Sequence, residues 1–220
     1  MLLEVACFNL ESCLIAQKAG AKRIELCENY SEGGLTPNEE IISRARKELQ
    51  IDLFVMIRPR KGDFIYSEIE IEEMRSQIEF CKEEKCDGVV FGILTEEYKV
   101  DVEACKELVE LAKPMPCTFH RAFDEIKDSD EAIEAIINCG FSRILTSGGH
   151  GTANEGIETI QHLIHKAKDR IIIMPGGGVR SSNISELLNR TVALEFHSAA
   201  ITNKNEIADA SEIKKLIAAF

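Results

Sequence analysis

Residues 143–178 read RILTSGGHGTANEGIETIQHLIHKAKDRIIIMPGGG, and this stretch decides the fold class. Arg143–Thr146 and Arg170–Met174 are short apolar runs closed by Ser, Gly and Pro, the composition of buried strands. Between them, Glu155–Lys168 carries apolar residues at helical spacing. Two strands bridged by one helix make a parallel βαβ unit. Moving outward, the same alternation fills the 220 residues. Strands are predicted at Leu2–Phe8, Arg23–Cys27, Leu53–Arg58, Gly88–Gly92, Pro116–His120, Arg143–Thr146, Arg170–Met174 and Ala193–His197. Helices are predicted at Leu10–Ala19, Asn38–Leu49, Glu68–Lys85, Val102–Lys113, Ser129–Cys139, Glu155–Lys168, Asn183–Asn189 and Ala210–Ala219. Pro37 before Asn38-Glu39-Glu40 reads as a helix start, and Gly20 and Gly140 as helix stops.

Eight βα units fit an α/β fold of the (β/α)8 TIM-like barrel type at the compact end of its size range. An open doubly wound sheet shares the alternation. The strand count and the polar residues at alternate strand positions favour closure. Nothing between the units resembles a linker, so residues 1–220 are read as one domain.

The composition is 45% hydrophobic and 29% charged, with a net charge of −12. An acidic balance argues against nucleic-acid and anionic-membrane partners, which require the opposite sign. Apolar runs such as Val89–Leu94 fall far short of the ~20 residues of a membrane span. The strand-like opening Leu2–Phe8, with Glu4 inside it, lacks the pattern of a leader, so a cytoplasmic location is expected. Eight cysteines are present without a Cys-x-x-Cys pair, which fits packing better than a zinc ribbon.

In a barrel the chemistry sits at the strand C-terminal ends. In Arg23-Ile24-Glu25-Leu26-Cys27 the apolar Ile24 and Leu26 suit the helix layer, which turns Glu25 and Cys27 inward. The same parity turns in Thr118 and His120, Glu195 and His197, Glu4 and Ala6, and Arg58. With Thr146, a ring of Glu4, Glu25, Arg58, His120, Glu195 and His197 is expected around one cavity. Glu25, His120, Glu195 and His197 are the candidate proton-transfer residues or ligands of a divalent metal. No lysine falls at an inward strand end, which disfavours Schiff-base chemistry.

Pro175-Gly176-Gly177-Gly178-Val179-Arg180 follows the seventh strand and leads into a helix, a suitable cradle for an anion. Gly176, Gly177, Gly178 and Arg180 are accordingly candidate anion ligands, with Thr146 on the sixth strand. Arg58-Pro59-Arg60-Lys61 sets three cations after the third strand, so Arg58 and Arg60 join them.

The segments Arg23-Ile24-Glu25-Leu26-Cys27, Glu32-Gly33-Gly34-Leu35-Thr36-Pro37, Met56-Ile57-Arg58-Pro59-Arg60, Thr118-Phe119-His120-Arg121-Ala122-Phe123-Asp124, Arg143-Ile144-Leu145-Thr146-Ser147-Gly148-Gly149 and Glu195-Phe196-His197 closely resemble the CutC family. The resemblance runs from about residue 3 to residue 200 and implies a cytoplasmic TIM-like barrel, a homo-oligomer (dimer or tetramer), with a role in copper homeostasis through Cu(I) binding by cysteine. Its implied thiol pair lies two positions after the first-strand Glu and at the end of the Arg-Ile-Glu-Leu-Cys segment. Here Cys27 fills the second place, while Ala6 fills the first and Cys7 follows one residue later, facing the opposite side of its strand. Cys27 is then the metal candidate, with His120 and His197 in support. Two functions are expected from these residues. One is copper handling at Cys27. The other is binding or conversion of a small phosphorylated or carboxylated metabolite at the Glu/His/Arg mouth.

Overall fold

The computed structural model describes residues 1–220. Strands β1 (Leu2–Cys7), β2 (Arg23–Leu26), β3 (Asp52–Met56), β4 (Gly88–Phe91), β5 (Cys117–Phe119), β6 (Arg143–Thr146), β7 (Ile172–Pro175) and β8 (Glu195–Ser198) alternate with eight helices. These are α1 (Leu10–Ala19), α2 (Glu39–Glu48), α3 (Glu68–Glu83), α4 (Val102–Ala112), α5 (Ser129–Cys139), α6 (Ile157–Ala167), α7 (Ile184–Thr191) and α8 (Ala210–Ala218). No helix is long and apolar enough to cross a membrane.

Every ladder is parallel, and the hydrogen-bonded order β7-β6-β5-β4-β3-β2-β1-β8 follows the chain around a ring. A doubly wound sheet would reverse direction at β1. Here β1 instead takes β8 as its second neighbour, and β7 lies against β8, where a Cβ added to Gly176 would sit 3.3 Å from the His197 Cβ. The fold is therefore the expected TIM barrel, nearly closed. Local signals start and stop the helices at the expected places. Asn9 caps α1 by accepting from the Ser12 N–H, Gly20 ends it at φ +105°, and Ser67 with Glu70 forms a reciprocal capping box on α3.

Apolar residues on the outer strand face, such as Val5, Ile24, Val55 and Phe196, join the buried helix faces in one cluster of 54 residues. The inner face is filled in layers fixed by the register. Glu4 pairs with Arg23, Leu2 with Glu195, Phe54 with Gly88, and Thr118 with Arg143. Alternate strands thus supply successive tiers, as in barrels generally. Arg23, Gly88, Arg143 and Glu195 form the lowest tier, Glu4, Phe54 and Thr118 the next, and Glu25, Val90, Leu145 and His197 the third. Ala6, Met56, His120 and Gly176 lie above these, at the mouth.

Candidate functional site

The floor of the barrel is an ion network. Arg23 donates from Nε to Glu4 Oε2 at 2.5 Å and pairs through Nη2 with Glu195, while Arg143 Nε reaches Glu195 Oε2 at 3.2 Å. Both guanidiniums lie over the Phe54 ring, at 4.9 and 5.0 Å. Charges this deep need partners, and here two cations meet two carboxylates. Arg23 and Arg143 were not among the expected site residues. The parity that turns Glu25 inward also turns in Arg23 two positions earlier, so the signal was present. This tier corrects the expected ring. Glu195 faces inward, but it sits two tiers below His197 among arginines and does not line the cavity.

Above the floor, His197 links two carboxylates. Its Nδ1 lies 2.7 Å from Glu4 Oε1 and its Nε2 lies 3.8 Å from Glu25 Oε2. Burial alone would raise Glu4, but Arg23 and His197 outweigh it and hold the carboxyl at about 2. Burial pushes Glu25 up from the usual carboxylate range, with the Glu4 charge adding to it and His197 opposing. His197 is raised despite its burial, because the Glu25 and Glu4 carboxylates face it.

A cavity of about 260 Å³ opens at the mouth. Its polar wall includes Glu25, Arg58, His120, Arg121, Arg180, His197 and Ser198, and its apolar wall Phe8, Met56, Phe64 and Leu145. His120 Nδ1 accepts from the Ala122 N–H at 3.2 Å, which leaves the ring proton on Nε2. Burial first and the Arg58 charge second push His120 down to about 3, so the imidazole is neutral. Three buried atoms of this wall, the acceptor Glu25 Oε1 and the donors His120 Nε2 and Arg58 Nε, have no hydrogen-bond partner in the protein.

The rim has both free and committed groups. Gly177, Gly178 and Ala199 line the cavity, and their amide N–H groups donate to no acceptor in the chain. Gly177 and Gly178 take φ of +91° and +73°, conformations in which glycine is unstrained. Arg180 sits beside them, tethered by Nη1 to the Val179 carbonyl at 2.8 Å and the Ser198 hydroxyl at 3.1 Å. Arg121 is held by Asp124 at 2.7 Å and donates to Ser147 Oγ at 2.9 Å.

Four expected anion ligands stand differently. Arg58 lines the cavity, yet its terminal nitrogens staple the loops by donating to the carbonyls of Glu32, Gly34 and Gly62, with only the buried Nε left over. Arg60 lies outside the wall, bound to Glu70 at 2.5 Å and Asp63 at 2.8 Å. Neighbouring acids quench that basic run. Thr146 points away from the cavity because Arg143 and Leu145 are the inward residues of β6, and its hydroxyl donates to Asp124 at 2.5 Å. Gly176 is pressed between Leu145 and His197 beneath the rim.

The donor atoms decide which metal the candidate residues suit. Cys27 is buried with Phe54, Met56 and Val90, and its thiol donates to Glu25 Oε2 at 3.3 Å. Burial and the Glu25 charge push this thiol well above its usual range, away from the thiolate that ligates metal. Cys7 belongs to the outer cluster with Cys13, as strand parity requires. Cu(I) favours paired soft ligands, and this interior offers one protonated thiol, so the donors fit it poorly. Glu4, Glu25 and His197 are close enough to share a cation, with ligand atoms within 4.8 Å. However, Arg23 and His197 occupy both oxygens of Glu4, so the trio works as a hydrogen-bonded chain. All eight cysteines are free and buried.

The CutC family model matches residues 1–202. The human copper homeostasis protein cutC homolog is 45% identical over 204 residues, 93% of this chain and 75% of the relative. A family protein CutC from Chromobacterium violaceum is 42% identical over 214 residues, 97% of this chain and 85% of that one. The solved CutC structure from Streptococcus agalactiae superposes with a TM-score of 0.86 at 35% identity, covering 90% of this chain and 98% of that one.

Proposed function

The chain belongs to the CutC family, whose relatives carry the name copper homeostasis protein, and from that premise we propose that it serves copper homeostasis through the cavity at its barrel mouth. That cavity binds a small phosphorylated or carboxylated molecule, in the cytoplasm and within a homo-oligomer, with no nucleic-acid or membrane partner. The observation carrying this reading is the set of buried, unpartnered polar atoms in its wall, Glu25 Oε1, His120 Nε2 and Arg58 Nε. An unsatisfied buried polar group costs about 1–3 kcal/mol, and three at one cavity mark where a ligand completes the bonds. The free amides of Gly177, Gly178 and Ala199, with Arg180 and Arg121, receive the anionic end. The Glu25/His197 pair supplies proton transfer.

Thermal shift and calorimetric titration with inorganic phosphate and 2-phosphoglycolate test this site. Binding is expected in wild type and to fall about tenfold in Arg180→Met, a loss equivalent to one charge-assisted contact. Absence of any shift at millimolar ligand would remove the reading.

Copper as the ligand itself is the second reading, supported by the relatives' names and by the inward thiol of Cys27. Anaerobic Cu(I) competition with a chelator separates the two. Weak binding that is indistinguishable between wild type and Cys27→Ala is expected from the donor set. A tight 1:1 complex lost in that variant would make copper the cargo of this chain.

A further inference from the structure

The mouth cavity holds an acceptor and a donor, both buried and both lacking partners. Glu25 Oε1 is the acceptor, on the same carboxyl whose other oxygen faces His197. His120 Nε2–H is the donor, because the Ala122 N–H fixes the lone pair on Nδ1. The glycine amides of the rim add a place for an anion. Resting on the small-anion reading above, we infer that this cavity transfers a proton at the carbon beside a carbonyl in a short phosphorylated hydroxy-aldehyde or hydroxy-ketone, with Glu25 as base and His120 as hydrogen-bond donor to the carbonyl oxygen.

Other reaction classes lack their groups here. No lysine lines the cavity for a Schiff base, and Glu25 is its only carboxylate, where glycoside hydrolysis requires two. The Ser198 hydroxyl donates to the Val179 carbonyl at 2.7 Å, and Cys27 lies outside the wall, so neither offers a free nucleophile to a ligand. Enolisation needs a base, a neutral donor at the developing oxyanion and a grip on the remote end, which are the groups present.

The step balances without an added reagent. Glu25 Oε1 takes the proton from the carbon, the C–H electron pair becomes the C=C bond, and the carbonyl π pair moves to oxygen. That oxygen receives a proton from His120 Nε2 while the neighbouring hydroxyl returns its own to the same nitrogen. Glu25 then delivers its proton to the former carbonyl carbon, and the carbonyl reforms one position along. His197, hydrogen-bonded to Glu4 and facing Glu25 Oε2, positions the base. At ~30 Å³ per water, the cavity holds roughly nine waters' worth of ligand, which matches a three- or four-carbon phosphate.

The test incubates the full chain in D2O with three- and four-carbon phosphorylated hydroxy-aldehydes and hydroxy-ketones, and follows exchange of the hydrogen beside the carbonyl by proton NMR. Wild type is expected to exchange it and to interconvert aldehyde and ketone. Glu25→Gln and His120→Gln should each slow this at least about 100-fold. Both variants should keep wild-type circular dichroism and bind inorganic phosphate, which needs only the rim amides and Arg180, within about threefold of wild type. If 2-phosphoglycolate binds but no compound exchanges, the reaction is overturned and the anion site survives. Failure of both 2-phosphoglycolate and phosphate to bind overturns the site and the reaction together. Exchange that persists unchanged in Glu25→Gln overturns the assignment of the base.

Discussion

Replacing Arg23 by Met removes the cation that ties the barrel floor to the site above it. Arg23 is 2% exposed, and it binds Glu4, Glu195 and the Met174 sulfur. Glu195 keeps Arg143, so the loss falls chiefly on Glu4, which is fully buried and left with His197 alone. Glu4 is held at about 2 against an ordinary 4.5, a shift worth about 3 kcal/mol at neutral pH. Breaking one partner of a buried pair costs about 3–5 kcal/mol by the mutational record, which agrees. With an unfolding entropy of roughly 0.5 kcal/mol/K for a chain of this size, Tm should fall by roughly 7 °C. The pH dependence has a definite sign. A depressed carboxyl stabilises the fold above its unfolded pKa and loses that contribution as pH falls through the folded one. In Arg23→Met, burial raises Glu4 instead, and protonation relieves its penalty. The difference between the two proteins should therefore shrink by at least about 1 kcal/mol between pH 7 and about pH 3.5. Urea denaturation followed by circular dichroism at both pH values measures this. A difference below about 1 kcal/mol at pH 7, or one that holds constant to pH 3.5, would refute the account of the floor.

Asp124→Asn should destabilise the loop after β6 by about 2 kcal/mol, because Asp124 accepts from Thr146 Oγ1, the Ser147 and Gly149 amides and Arg121; an unchanged urea midpoint would count against it. Nitrogen-15 NMR of the two site histidines should separate them. His120 stays neutral, with its proton on Nε2, down to about pH 3, and destabilises the fold as pH drops below the ordinary imidazole range. His197 stays protonated above that range, and its stabilisation is lost as pH rises through its raised folded value; coincident titration of the two would be incompatible with this wall. Gly88→Ala should cost about 2 kcal/mol, since the new Cβ would meet the Phe54 ring at 2.5 Å and that ring is pinned beneath two guanidiniums. A wild-type Tm in this variant would show the floor to be looser than described.

The barrel was legible in the sequence because each strand carries its own in–out code. Ile24 and Leu26 declare the helix face of β2, and Glu25 and Cys27 then follow as inward by parity alone. The same reading finds Arg58, His120 and His197 in the cavity wall. Parity says nothing about depth, however. Glu195 and His197 share a face but lie two tiers apart, and only the stagger between neighbouring strands decides that Glu195 meets Arg23 and Arg143 rather than a ligand. Thr146 stands at a strand end, which alone suggests a site residue, but parity from Arg143 and Leu145 turns it toward Asp124 instead. Arg60 depended on Glu70, a partner on α3 whose approach is set by the path of the loop between them. The free amides of Gly177 and Gly178 could be suspected from glycine content, but their lack of acceptors is a property of the folded rim.

Depth also separates what holds the barrel together from what it can do. The floor is closed electrostatically: Arg23 and Arg143 answer Glu4 and Glu195, and two guanidinium faces rest on Phe54. Such a tier gains nothing from a ligand. One tier higher the balance is left open, with Glu25 keeping an oxygen for which the protein supplies no donor. His197 joins the two levels, since Glu4 below orients its ring and Glu25 in its own tier faces it. A perturbation at Arg23 should therefore reach the site through Glu4 and His197, whereas one at Glu25 should leave the floor intact. Stability measured on Glu25→Gln should stay near wild type or rise, because relief of a buried carboxylate outweighs loss of its 3.8 Å contact with His197, which keeps Glu4 at 2.7 Å. A marked loss of stability in Glu25→Gln would mean that Glu25 belongs to the structural network, and that the cavity has no base to offer.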